Sequence, residues 1–299
     1  MLESRKNIFC YLMVAPALIL VILLGILPMI QSLRMAFVEY NLLTLRTKGT
    51  PFVGLDNFEY LFSDSVFIQT LVQTIMFVVI VVGFVIVLGV LAAQVLNRQF
   101  VGRTFLRTTF LLPWFIPPVI AAGIWRWLLN TNLSPINSVL SDIGLINGNI
   151  GFLTDTTSIG YFSLPMLVVS LVRTWNGLPF VTVMVLAGLQ SIPSDIYEAA
   201  DIDGASSWQK FTRLTLPLLR PVLVVIATLL SISGIGYFEV NYVMTGGGPR
   251  DLTNILGVYA YDQAFSFYRF DYAAAASSVI LILTSFIAFF YIRYLLKED

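Results

Sequence analysis

The sequence predicts an all-α integral membrane protein with about six transmembrane helices, and three observations carry the prediction. The chain of 299 residues is 58% hydrophobic and only 11% charged, whereas soluble domains hold about 25% charged residues. Its mean hydropathy is +0.85. Apolar runs long enough to cross a bilayer, about 18 residues or more, recur along the chain. Lipid cannot satisfy backbone amides and carbonyls, so spanning runs of this kind must be helical.

Taken in order, the spans are expected at roughly 8–32, 69–96, 108–129, 161–188, 219–241 and 272–294. The first apolar run follows Arg5 and Lys6. It is too long for a signal-peptide core and lacks a small-x-small cleavage site, so it reads as a retained span. The lone cysteine, Cys10, lies in this run and reads as a small core or lipid-facing residue. Span three carries Pro113, Pro117 and Pro118, a density that should kink or break the helix. Span four is expected to be interrupted at Asn176-Gly177-Leu178-Pro179, and span five carries Gly234 and Gly236. Broken helices at membrane depth need protein or a wet cavity around the freed backbone. A close-packed bundle with small-residue contacts is the alternative reading.

Orientation follows from Lys and Arg. With the N-terminus inside, the inner segments hold Arg5, Lys6, Arg98, Arg103, Arg107, Lys210, Arg213, Arg220, Arg293 and Lys297. The outer segments hold the smaller set Arg34, Arg46, Lys48, Arg126, Arg250 and Arg269. The bias places both termini in the cytoplasm, and with them the polar loop at 189–218.

That loop is the most patterned part of the chain. Glu198-Ala199-Ala200 is followed after three residues by Gly204, and after nine more by Leu214-Thr215-Leu216-Pro217. Ser194 is expected to cap a short helix, with Asp195 and Glu198 near its positive end. Gly204 suits the left-handed residue that ends it. A second short helix from Ser206 or Ser207 would place Trp208, Phe211 and Leu214 on neighbouring faces, and Pro217 would break the chain before span five. On pattern alone, the loop is either a docking element or an amphipathic link between spans.

The spacing resembles the cytoplasmic EAA loop of ATP-binding-cassette importer permeases, with Leu214 where isoleucine is usual. Further segments resemble the carbohydrate branch of those permeases, the maltose, multiple-sugar and glycerol-phosphate type. They are Phe52-Val53-Gly54-Leu55-Asp56-Asn57-Phe58, Trp175 with Pro179-Phe180, Leu189 to Pro193, and Thr245-Gly246-Gly247-Gly248-Pro249. The resemblance implies the type I importer permease fold and a place in a bacterial or archaeal cytoplasmic membrane. It implies four kinds of partner: a second, dissimilar permease subunit, a dimer of ABC ATPases, an extracytoplasmic solute-binding protein and a carbohydrate substrate. By the same resemblance, Glu198, Ala199, Ala200, Asp203, Gly204, Leu214 and Pro217 couple the chain to the ATPase. Asn176, Gly177 and Phe180 would face Ser233, Gly234 and Tyr237 along the substrate path. Arg173 and Glu239 would line that cavity or pair with each other, or Arg173 would meet an anionic substrate.

Composition excludes other classes. There is no histidine, so the commonest proton relay and metal ligand is missing. One cysteine cannot form an internal disulfide or a cysteine metal cluster. No Gly-Lys pair occurs, so no P-loop is present. ATP and Mg would be bound by the partner ATPase, and this chain is expected to hold no cofactor and to be no enzyme. The net charge of zero gives no footprint for nucleic acid. An ion-coupled secondary transporter would require buried acids or histidines in several spans; only Glu239 qualifies. A membrane enzyme would require convergent catalytic groups, and the spans carry none.

Overall fold

The computed structural model describes residues 13–295. The start of the first expected span, Arg5, Lys6, Cys10 and Lys297 lie outside these residues. Among the described residues, five helices are long and apolar enough to cross a membrane, or six when one bent pair counts as a single span. The chain divides into two compact units.

The first unit comprises Met1–Ser65 and Tyr259–Leu281. Helix α1 (Met13–Met35) buries none of its residues, as expected of a helix with lipid or another subunit as its solvent. The chain then turns through the short α2 (Leu45–Lys48) and enters α3 (Asp56–Ser63). Asn57 organises this turn. Its side-chain amide donates to the carbonyls of Ala36 and Val38 at 2.9 and 3.0 Å, beside the bridge between Val38 and Phe52. In the same unit the buried Asp271 accepts the Tyr40 amide at 3.0 Å. The rings of Tyr60 and Tyr272 lie 4.3 Å apart under the Arg269 guanidinium.

The second unit comprises Val66–Val258 and Ile282–Asp299. Its elements are α4 (Ser65–Asn97), α5 (Arg103–Phe115), α6 (Pro118–Leu128), α7 (Pro135–Asp142) and a small hairpin of β1 (Ser158–Ile159) and β2 (Phe162–Ser163). After these come α8 (Leu164–Gln190), α9 (Ser194–Ile202), α10 (Ser207–Ile235), α11 (Glu239–Thr245) and the start of α12 (Leu256–Tyr261). Helix α13 (Phe270–Leu295) closes the described chain. The core gathers Phe77, Val81 and Val85 of α4, Met166, Val169, Val181 and Val185 of α8, and Leu219 and Ile226 of α10. The end of α4 is tied by Arg103 and Arg107, which both donate to the Leu96 carbonyl, one of the four acceptors a helix leaves free at its C-terminus.

The breaks fall where sequence only partly located them. Span three breaks as expected: α5 and α6 meet at a bend of 95°. Ile116 is extended at φ −80°, ψ 120°, in keeping with the bias of a residue before proline away from the helical region, and Pro118 starts α6. Span four, by contrast, is not interrupted at Asn176–Pro179. Helix α8 runs unbroken from Leu164 to Gln190 with Pro179 inside it. A single proline costs one hydrogen bond and some clearance, which the long α8 absorbs, whereas in the Pro117-Pro118 pair the first proline is itself held extended, at ψ 136°. Span five ends at Ile235 rather than 241, and Gly236–Phe238 separate it from α11.

Candidate functional site

The polar loop folds as a latched helical hairpin. Pro193, at φ −59° and ψ 139°, occupies the cap position of α9 without a side-chain cap bond. Ser194 is therefore already the first helical residue, and its hydroxyl donates instead to Asp195 at 3.3 Å. A capping oxygen must sit on the extended residue before the helix, and proline holds that place.

The helix ends as the sequence requires. Gly204 takes φ +75° with open space where a Cβ would stand, so the backbone, not crowding, demands glycine. Its amide bonds to Asp201, and the Ala205 amide to Ala200 at 2.9 Å, the paired bonds of a Schellman turn. Ser206 and Gln209 then exchange side-chain and backbone bonds at 2.8 and 3.3 Å, a capping box that starts α10. Two ties close the hairpin: Lys210 pairs with Asp201, and the Tyr197 and Thr215 hydroxyls lie 2.9 Å apart.

Pro217 does not break the chain. A wide π turn at Phe211–Thr215, in which the Leu216 amide reaches back to Phe211, precedes Pro217. This loosened turn gives the ring room within a continuous helix. The outer surface of the hairpin is exposed at Glu198, Ala199, Asp203 and Gly204. Two large apolar residues stand out from it: Ile202 is 87% exposed and Trp208 71%. Leu214 is half-buried.

The second cluster lies at the broken spans. Asn176 is 5% exposed and donates to the carbonyls of Pro113 and Ile116 at 2.8 and 3.1 Å. It thus satisfies acceptors released by the break in span three. Phe180 packs on Trp114 of the same break, with ring centroids 5.7 Å apart. The other residues of α8 turn toward span five. The Arg173 guanidinium lies 4.7 Å from the centroid of the Tyr237 ring, which also stacks on Phe77 at 5.8 Å. A Cβ on Gly177 would stand 2.8 Å from Arg173 Nη1, so glycine makes room for the guanidinium.

Arg173, Gly177 and Tyr237 therefore come together, whereas Asn176 and Phe180 serve the neighbouring break. Ser233 bonds back to Leu230 at 3.1 Å, and Gly234 lies against Val78 of α4. Among the described residues, Arg173 and Glu239 do not form an ion pair. Glu239 instead starts α11, where the free amides of a helix N-terminus favour a carboxylate.

Sequence reading missed Gln73. It is fully buried, and among the described residues neither its amide nitrogen nor its oxygen has a partner. On the same face of α4, one residue away, Thr74 accepts the Leu256 amide at 2.8 Å, and a turn further Phe77 meets Tyr237. The signal was present as Thr70, Gln73 and Thr74 at helical spacing in an otherwise apolar span.

The arrangement has close counterparts. Residues 85–298 match the family described as binding-protein-dependent transport system inner membrane component. The chain is 31% identical to the sulfoquinovosyl glycerol transport system permease protein SmoG of Agrobacterium fabrum, over 100% of this chain and 94% of that protein. It is 34% identical to the trehalose/maltose transport system permease protein MalF of Thermococcus litoralis, over 96% and 93%. Among solved structures, a membrane subunit of a bacterial ABC transporter for the import of the acidic polysaccharide alginate superposes with a TM-score of 0.79 at 27% identity, covering 97% of each chain. With its membrane helices, its unbroken fourth span and its latched hairpin, this chain belongs to the inner-membrane permease family of binding-protein-dependent transport systems.

Proposed function

We propose that this permease passes a carbohydrate into the cytoplasm as one half of an ATP-driven importer. A second, dissimilar permease forms the other half of the path. A dimer of separate ATPases, which bind the ATP and Mg, docks on the hairpin from Ser194 to Pro217. An extracytoplasmic binding protein delivers the solute to the outer loops, and both termini of this chain lie inside. The observation that carries the reading is the hairpin itself: it is internally latched, yet it presents Glu198, Ile202 and Trp208 to the outside. Large exposed apolar residues rimmed by polar ones mark a protein-binding surface.

ATP closes the ATPase dimer, the hairpin moves with it, and the two permeases rock between inward-open and outward-open forms. Glu198 meets a polar or basic group of the ATPase, and Gly204 holds the turn. The choice of a carbohydrate follows the relatives, whose names include trehalose, maltose and lactose transport.

The test is gentle extraction of the tagged chain from its native membrane, followed by mass spectrometry of what co-purifies. Recovery of a second permease and a P-loop ATPase, with the ATPase lost from Glu198→Arg and Trp208→Ala, is the expected result. A chain that leaves every detergent alone would overturn the reading.

A further inference from the structure

The Arg173 side chain carries a charge that the protein does not neutralise. It lies ten residues into the 27-residue α8, at a depth where a cation is expensive and needs a partner. No carboxylate stands within ion-pair distance among the described residues. None of its five N–H donors is taken up by a hydrogen bond among them either. The protein has nevertheless shaped a place for it. Gly177 leaves the guanidinium the space that any Cβ would fill, at 2.8 Å from Nη1. Tyr237 offers its ring face at 4.7 Å, a contact that orients a guanidinium while leaving its N–H groups unused. The nearby acid does not answer it, because Glu239 belongs to the N-terminus of α11.

The Tyr237 hydroxyl is itself buried and unpartnered. A half-buried cation with free donors beside an unsatisfied phenol is a half-built anion site. A neutral sugar would leave the charge uncompensated. A carboxylate, sulfonate or phosphate on the solute would meet the open fork of the guanidinium.

We infer that the carbohydrate passed by this permease is acidic, and that Arg173 is the residue that selects its negative group. The inference rests on the carbohydrate-importer reading above. It predicts a substrate preference at the permease, separate from any made by the binding protein.

The test uses the whole complex of both permeases, ATPase and binding protein, reconstituted in liposomes with ATP. The probes are a series of neutral mono-, di- and trisaccharides, each paired with its uronic-acid counterpart. Uptake of acidic over neutral members by at least tenfold is expected. Arg173→Gln should collapse that ratio about tenfold, and Gly177→Ala should lower it by displacing the guanidinium without altering charge. Arg173→Lys keeps the charge and should retain most of the ratio, which covers the case in which Arg173→Gln fails to assemble. Because the binding protein is the same throughout, a change in ratio belongs to the permease. Equal uptake of both series, or an Arg173→Gln loss that leaves the ratio unchanged, overturns the inference and leaves the importer reading standing. If the wild-type complex takes up no saccharide of either charge, the carbohydrate reading falls and this inference falls with it.

Discussion

The hairpin at 194–217 and the crossing around Arg173 and Tyr237 are built on opposite principles. The devices that turn the hairpin are local, and even its two closing ties stay within the 194–217 segment. Gly204 answers to its own φ, the Schellman bonds span five residues or fewer, and the capping box joins Ser206 to Gln209. The crossing is assembled from residues far apart in sequence: Asn176 on Pro113, Phe77 on Tyr237, Thr74 on Leu256. A local element can be recognised from spacing, because turn chemistry is a short-range property of the chain. A crossing cannot, because its residues take their roles from neighbours that the sequence does not name.

The comparison can be broken most severely at Gly257. A Cβ there would stand 2.1 Å from the Tyr237 carbonyl oxygen, which is backbone and cannot yield as a side chain would. Gly257→Val should cost about 3 kcal/mol or more and should abolish the thermal transition of the detergent-solubilised protein. A normal melting curve would show that the crossing tolerates looser packing than the contact implies.

Asn176 comes next. Asn176→Leu keeps the branched shape but leaves the part-buried Ile116 carbonyl without its donor and the Pro113 carbonyl with the Ile116 amide alone, at about 1–3 kcal/mol in all. Thermal stability and solute uptake should fall together. A loss of uptake at unchanged stability would make Asn176 a solute ligand rather than a brace for the broken span.

Gly204→Val should cost about 1–2 kcal/mol, since a branched side chain is strained in the left-handed region, and the cost should stay within the hairpin. The spans should melt as in the wild type while solute-stimulated ATP hydrolysis of the complex is lost. Global unfolding instead would erase the contrast between the two regions. The smallest effect is expected at the Lys210–Asp201 latch. The Asp201 side chain is 60% exposed, so a double-mutant cycle with Lys210→Ala and Asp201→Ala should return about 0.2–1 kcal/mol. A coupling well above that range would mean the latch is shielded from solvent.

The same contrast sets how much was legible in the sequence. The spanning helices follow from hydropathy alone. The turn at Gly204, the helix start at Ser206 and the break in span three follow from residue types within a few positions. Ser194 was misplaced by one residue because Pro193 competes for the cap. Pro179 and Pro217 were taken as breaks because a proline's effect depends on its surroundings: α8 continues past the one, and a π turn accommodates the other. Of the alternatives open for Arg173 and Glu239, pairing with each other is not the one seen: Glu239 stands at a helix N-terminus and Arg173 over an aromatic ring. Gln73 went unnoticed because one amide in an apolar span becomes informative only when its burial and lack of partners are visible.

The π turn at Phe211–Thr215 has a mechanical consequence. Because it absorbs Pro217 without a break, Ser207–Ile235 is a single rod of 29 residues, about 43 Å long at 1.5 Å per residue. Trp208 stands at one end and Tyr237 lies just past the other. A torque applied at the Trp208 end reaches Ile235, two residues short of Tyr237, without passing through a joint. Register along the rod therefore links its two ends: one residue inserted within it would swing the far end by about 100° relative to the near one, even though every residue at either end remained in place.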